Sequence, residues 1–97
     1  MNLFEYTIPE RGETFTPLLQ HRDITIQRIV SSDDLEEKTY IQEEDEWVLI
    51  LEGEALLKIN GREKRIYKGE SLLIPAKTPH QVLQTQKGTL WLAVHLS

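Results

Sequence analysis

QEEDEWVLILEG (residues 42–53) and GESLLIPAKTPH (residues 69–80) are the two stretches that decide how this chain folds. Each contains a short apolar run of the kind that forms a buried β-strand. A polar side chain stands at one end of each run, since Glu46 precedes the first and His80 follows the second. We therefore expect a small β-barrel whose mouth holds these two side chains.

The remaining sequence is typical of short strands separated by turns. Asn60-Gly61 is the strongest local signal, because both residues accept the positive φ that a two-residue type I′ hairpin requires. No long segment has the apolar periodicity of a helix, so the predicted fold class is all-β with little or no helix. Strands are predicted at 24–30, 38–42, 47–51, 55–59, 62–67, 71–74, 80–83 and 90–96, with an edge strand through Phe4, Tyr6 and Ile8 that Pro9 ends.

The composition narrows the classes of partner. A length of 97 residues predicts one domain (1–97) with one core, and the lack of cysteine excludes disulfides, thiolate metal sites and a cysteine nucleophile. The formal net charge of −5 argues against nucleic acid, which favours a basic surface. No apolar stretch reaches the roughly 20 residues that span a bilayer, and no signal-peptide pattern begins the chain. We expect a cytoplasmic protein with no membrane or nucleic-acid partner.

Around Glu46 and His80 the sequence resembles the cupin superfamily of jelly-roll β-barrels, and within it the small single-domain bacterial cupins of the Cupin_2 and RmlC-like type. The resemblance implies a single-domain jelly roll with a pocket inside the barrel. Five positions match the family's two motifs, which here span residues 40–53 and 69–84: Glu46, Gly53, Gly69, Pro75 and His80.

The departures from the family pattern concern mainly the metal ligands. In metal-binding cupins three histidines and one glutamate hold a divalent ion. Tyr40 and Gln42 stand here in place of two of those histidines, so that only Glu46 and His80 remain. Lys77 also replaces a motif glycine. The resemblance therefore implies the pocket with a degenerate metal motif.

His95 adds a further polar group to the predicted pocket. In a jelly roll the last strand lies antiparallel beside the strand that begins at Glu46, which brings His95 close to that carboxylate. Two imidazoles and one carboxylate would suffice for one divalent Fe, Mn, Ni or Zn ion. The alternative is a neutral hydrogen-bonded network without metal. The predicted pocket comprises Tyr40, Gln42, Glu46, Val48, His80, Trp91 and His95, of which Glu46, His80, His95 and Gln42 are the candidate metal ligands.

Three functions are compatible with these residues. The first is a protein that binds a small polar molecule, the second a metal-dependent isomerase, epimerase, lyase or dioxygenase, and the third an interaction module with a vestigial pocket. A paired-carboxylate hydrolase is not expected, because only Glu46 is predicted to face inward. Trp47, Leu49 and Leu51 give their strand a second apolar face, which predicts a homodimer.

Overall fold

A computed structural model describes residues 1–97 and contains eight antiparallel β-strands and no helix. One sheet has the order β1-β2-β8-β3-β6 and the other the order β5-β4-β7, which is the all-β jelly-roll-like architecture predicted. No helix is present that would be long and apolar enough to cross a membrane. The strands are β1 (Glu13–His21), β2 (Ile24–Ser31), β3 (Asp45–Glu52), β4 (Glu54–Ile59), β5 (Arg62–Tyr67), β6 (Ser71–Ile74), β7 (His80–Thr85) and β8 (Thr89–Leu96).

Two of the predicted turns are present, and each contains a glycine with a positive φ. Asn60 and Gly61 have φ values of 49° and 83° and join β4 to β5, which confirms the hairpin. Gly53 has a φ of 87° between β3 and β4, and the pairing of β3 with β8 shifts register between Ile50 and Glu52. The turn or bulge expected at residues 52–54 is therefore present.

Alternation along β3 separates an inner from an outer face. Glu46, Val48 and Ile50 are buried, whereas Trp47 and Leu49 between them are half-buried. The buried side chains join a core of nine residues between the two sheets, comprising Ile29, Val48, Ile50, Ala55, Leu57, Ile66, Ile74, Trp91 and Ala93. Glu46, the second residue of β3, thus lies on the inner face beside this apolar core.

The outer face of the larger sheet carries a row of apolar side chains. Strand pairing aligns Trp47 with Leu73 on one side and with Val94 on the other, and Val94 pairs in turn with Ile26. Leu73 is 52% exposed. Leu19 pairs with Ile26 and completes the set. We call these five residues the outer apolar row: Leu73, Trp47, Val94, Ile26 and Leu19.

The N-terminal prediction is wrong. Residues 4–8 form no strand, and the first strand is Glu13–His21, which contains Pro17. Proline is tolerated there because β1 is the sheet edge, and its pairing shifts register between Pro17 and Leu19. The preceding segment lies instead against the outer face, where Arg28 Nη1 donates hydrogen bonds to the carbonyl oxygens of Leu3 and Glu5.

Candidate functional site

All seven side chains of the predicted pocket line one cavity between the two sheets. This inner cavity has a volume of about 70 Å³. The predicted members are Tyr40, Gln42, Glu46, Val48, His80, Trp91 and His95, and they are joined by Glu13, Phe15, Gln27, Ile29, Leu57, Ile74 and Val82. The structure thus brings the predicted residues together, while their roles in binding stay predictions.

The pairing of β3 with β8 places His95 beside Glu46. The two residues are direct cross-strand partners, as the sequence predicted for the last strand. His95 Nε2 lies 3.6 Å from Glu46 Oε2. This distance is too long for a direct hydrogen bond, so the two groups face each other across a short gap.

His80 approaches the other oxygen of the same carboxylate. Its Nδ1 lies 2.9 Å from the carbonyl oxygen of Thr78, and a carbonyl can only accept, so Nδ1 carries the hydrogen. In the neutral ring Nε2 is then an acceptor, and it lies 3.7 Å from Glu46 Oε1 with no hydrogen bond of its own. The His80 side chain is only 6% exposed, and its Nε2 is a polar atom without a partner that lines the cavity.

Tyr40 and Gln42 enter the cavity from the loop between β2 and β3, so the predicted strand at 38–42 is wrong. Only Tyr40 pairs, through a single two-hydrogen-bond bridge to His80, and its ring stacks on the imidazole with centroids 5.8 Å apart. The Lys77 backbone N–H donates to the Gln42 carbonyl oxygen. Gln42 Nε2 in turn donates to Glu46 Oε1 at 2.8 Å.

Burial raises the pKa of Glu46, and the neighbouring Glu44 raises it further. The imidazoles of His95 and His80 oppose this shift, because a positive charge on either ring favours the carboxylate. Burial prevails, so the pKa lies above its usual range. A carboxyl group in this state exchanges a proton closer to neutral pH than an exposed one does.

His95 has an incomplete set of partners. Its Nδ1 is 3.2 Å from Glu44 Oε1, yet the geometry is not that of a hydrogen bond and this buried atom has no partner. Its Nε2 lies 3.2 Å from Gln27 Nε2. Gln27 therefore holds His95 Nε2, and no sequence motif indicated that Gln27 belongs to the site.

The side chains around Glu46 are of the types that bind divalent cations, but their donor atoms lie slightly too far apart to share one ion. No three histidine, aspartate or glutamate side chains meet as a preformed metal cluster. Donors that share one ion at about 2.0–2.2 Å lie about 3–3.5 Å apart. The gaps of 3.6 and 3.7 Å between the imidazoles and Glu46 are slightly longer. Each imidazole would therefore have to move closer to Glu46 before it could share an ion with that carboxylate.

Glu13 corrects the expectation that only Glu46 faces inward. It lies at the start of β1 and lines the inner cavity. Ser31 Oγ donates a hydrogen bond to Glu13 Oε2, and the Trp91 indole N–H donates to Ser31 Oγ at 2.9 Å. Burial raises the pKa of Glu13, the Ser31 hydrogen bond lowers it, and the charge of Glu46 raises it.

A wider outer cavity of about 470 Å³ adjoins the inner one. Glu13, Phe15, Tyr40 and Val82 line both cavities, so the two meet at these residues. The outer cavity also carries both signs of charge, from Arg11, Asp34, Glu36 and Lys38. A ligand that extends from the inner cavity would therefore enter a polar, charged vestibule.

Comparisons with known proteins agree with this architecture. The family model of the Cupin_2 cupin domain matches residues 32–95. The structure of a candidate mannose-6-phosphate isomerase from Ralstonia eutropha JMP134 is similar, with 31% identity and a TM-score of 0.89 over 100% of this chain and 96% of that one. No curated protein matches the chain.

Two more distant structures share the fold. One is a conserved protein of unknown function from Streptococcus pyogenes, with 23% identity and a TM-score of 0.81 over 94% of this chain and 79% of that one. The other is an RmlC-like cupin from Shewanella frigidimarina, with 16% identity and a TM-score of 0.79 over 88% and 76%.

Proposed function

The chain belongs to the cupin family, and from this premise we propose that it binds a small polar molecule in the inner cavity, with Glu46 as the central recognition group. One observation carries the proposal. Each oxygen of this buried carboxylate faces an imidazole nitrogen, at 3.7 Å for His80 and 3.6 Å for His95. Glu46 Oε1 is hydrogen-bonded to Gln42 and His95 Nε2 to Gln27, but Glu46 Oε2 and His80 Nε2 have no hydrogen-bond partner in the protein. A ligand with hydrogen-bond donors can supply these two partners.

The surrounding residues define how such a ligand would be held. Glu46 Oε2 and the unpartnered Nε2 of His80 are available to accept hydrogen bonds, while Gln42 already donates to Glu46 Oε1. Tyr40 stacks on His80 and keeps its ring in place. The raised pKa of Glu46 allows this carboxyl group either to accept or to donate a proton as a ligand demands.

A thermal-shift panel of small sugars, polyols, amines and amino acids tests this function. A compound that binds only the folded protein raises Tm by mass action. We expect the stabilisation by an active compound to be lost in His80→Ala and kept in His21→Ala, whose side chain is exposed on β1. Stabilisation that persisted in His80→Ala would place the ligand elsewhere.

A metal-dependent isomerase is the second candidate, favoured by the convergence of three donors and by the similarity to the Ralstonia eutropha protein. Glu46, His80 and His95, with Gln42 as a fourth group, would hold one divalent ion. When bound, such an ion supplies a Lewis acid that polarises a carbonyl group. Tyr40 would then hold or transfer a proton at its hydroxyl group.

The charges around the cavities constrain the substrate of this second function. Glu13 and Glu46 disfavour a phosphate group in the inner cavity, so the phosphate of a sugar phosphate would lie in the outer cavity near Arg11 and Lys38. Elemental analysis of the purified protein, with an assay of mannose 6-phosphate isomerisation, tests this candidate. One metal per chain that is lost in His95→Ala would support it, and a metal-free, inactive protein after incubation with Fe, Mn, Ni and Zn would reject it.

A further inference from the structure

Glu13 is a second carboxylate in the cavity, and the proposed binding by Glu46 assigns it no role. It lines both the inner and the outer cavity. Its Oε2 is held from behind by Ser31, which is fully buried and is held in turn by the Trp91 indole. Its Oε1 has no hydrogen-bond partner in the protein. The side chain is therefore anchored at one oxygen while the other is free for a ligand.

The inner cavity has no lysine or arginine side chain to balance this carboxylate. Among the residues that line it, Glu13 and Glu46 are acidic and none is a lysine or an arginine. Two carboxylates that are removed from water and face one cavity repel each other. A cation placed between them would gain attraction from both, whereas a neutral group would gain only hydrogen bonds.

The size and the other walls of the cavity favour a small cation. Its volume of about 70 Å³ equals that of about two water molecules, and so suits a head group of a few heavy atoms. Tyr40 and Trp91 contribute aromatic rings, whose faces attract cations. The unpartnered Nε2 of buried His80 adds an acceptor for an N–H group.

We infer that the ligand carries a compact ammonium group that binds between Glu13 and Glu46, while the rest of the molecule lies in the outer cavity. This inference rests on the proposed binding function and names the chemical class of its ligand. The ammonium group donates hydrogen bonds to both carboxylates. Anions are repelled from the same position, and neutral alcohols of equal shape bind more weakly.

Three probes of similar size and different charge test the inference: propylammonium, its isosteric alcohol 1-propanol, and propionate. The indole N–H resonance of Trp91 in a ¹⁵N-labelled protein reports binding, because this group is connected to Glu13 through Ser31. Trp47 on the outer face provides the reference resonance. We expect saturable shifts of the Trp91 resonance with propylammonium at concentrations about tenfold or more below those of 1-propanol, and none with propionate.

Two variants assign the effect to Glu13. Glu13→Gln keeps the size of the side chain and an acceptor for Ser31 but removes the charge, so we expect propylammonium to bind about tenfold or more weakly. Glu63→Gln, on the exposed face of β5, makes the same change in net charge and should leave the affinity unchanged. Equal affinity in Glu13→Gln and the wild type would overturn the role of Glu13, and if Glu13→Gln does not fold, the wild-type probe series decides.

The remaining outcomes separate this inference from the proposed function. If 1-propanol shifts the Trp91 resonance as readily as propylammonium, the cavity binds small molecules but its ligand is not an ammonium compound. The inference then fails while the proposed function stands. If no probe shifts the resonance, the inference fails, and the panel of compounds described above decides the proposed function separately.

Discussion

Replacing Gly53 by alanine tests how tightly the turn between β3 and β4 fits the last strand. Gly53 has a φ of 87°, a conformation that side chains rarely adopt. A Cβ at this position would lie 2.6 Å from Thr89 Oγ1 and 3.0 Å from Thr89 Cα. Thr89 cannot move freely, because it is fully buried and its hydroxyl donates to the carbonyl oxygens of Glu54 and Gln86.

The expected cost follows from three contributions. The positive φ costs an alanine about 1–2 kcal/mol, and forcing a methyl group against Thr89 costs about 1–3 kcal/mol. The smaller entropy of the unfolded alanine chain offsets about 0.4–1 kcal/mol. We therefore expect Gly53→Ala to lower the free energy of unfolding by about 1–5 kcal/mol, or Tm by about 5–35 °C for a domain of this size.

Gly69→Ala is the matched control for this experiment. Gly69 has nearly the same φ, 85°, but nothing lies within 4 Å of a Cβ at that position. Its substitution incurs only the backbone cost, about 0–1.5 kcal/mol after the same entropic offset. Urea denaturation of both variants measures the difference. If Gly53→Ala were no less stable than Gly69→Ala, the close approach of Gly53 to Thr89 would be refuted.

Three further predictions concern ionisation, assembly and the core. Because the folded pKa of Glu46 is raised, the folded state binds more protons than the unfolded state above about pH 4.5, so the free energy of unfolding should fall as pH rises through the folded pKa. Glu46→Gln should reduce this fall in urea denaturation at a series of pH values, and an unchanged slope would contradict the shift. We also propose a homodimer through the outer apolar row, which sedimentation equilibrium should detect at micromolar concentration. Leu73→Glu should dissociate this dimer, whereas Lys64→Glu on β5 should not. A monomeric wild type would disprove it. Trp91→Phe should lower the free energy of unfolding by about 1–3 kcal/mol, because it removes a buried hydrogen bond and leaves a void. Trp47→Phe on the half-buried outer face should lower it less. Equal losses of stability would contradict the difference in burial between the two tryptophans.

The pocket residues near the two motifs could be predicted because short-range signals fix their positions. The apolar run after Glu46 and the Pro75–Pro79 segment before His80 specify where each strand begins. The position of His95 follows once the last strand is placed beside β3, and the observed pairing of Glu46 with His95 confirms it. Strand parity then directs both side chains to the same inner face.

Glu13 could not be predicted because its placement depends on contacts remote in sequence. Pro17 and the weak alternation around it conceal β1, whose pairing with β2 is what carries Glu13 to the cavity. Its partners Ser31 and Trp91 lie on β2 and β8, which no local pattern connects to residue 13. The same holds for Tyr40, which reaches the cavity through one bridge to His80 rather than through a strand.

Lys77 shows how a sequence departure from the family pattern can preserve its backbone. It occupies a motif glycine position and has a φ of 61°, a conformation that glycine adopts without strain. Its backbone N–H donates to the Gln42 carbonyl oxygen at 2.6 Å. The loop before His80 therefore has a positive φ at a position where the family motif has glycine, and this contact helps to place Gln42 beside Glu46.

The most direct test of the proposed function is a crystal structure of the protein soaked with the compound that gives the largest thermal shift. We expect this compound to occupy the inner cavity, with polar atoms within hydrogen-bond distance of Glu46 and of His80 Nε2. A compound bound elsewhere on the molecule, with the gaps between Glu46 and the two imidazoles unchanged, would show that this cavity is not the binding site.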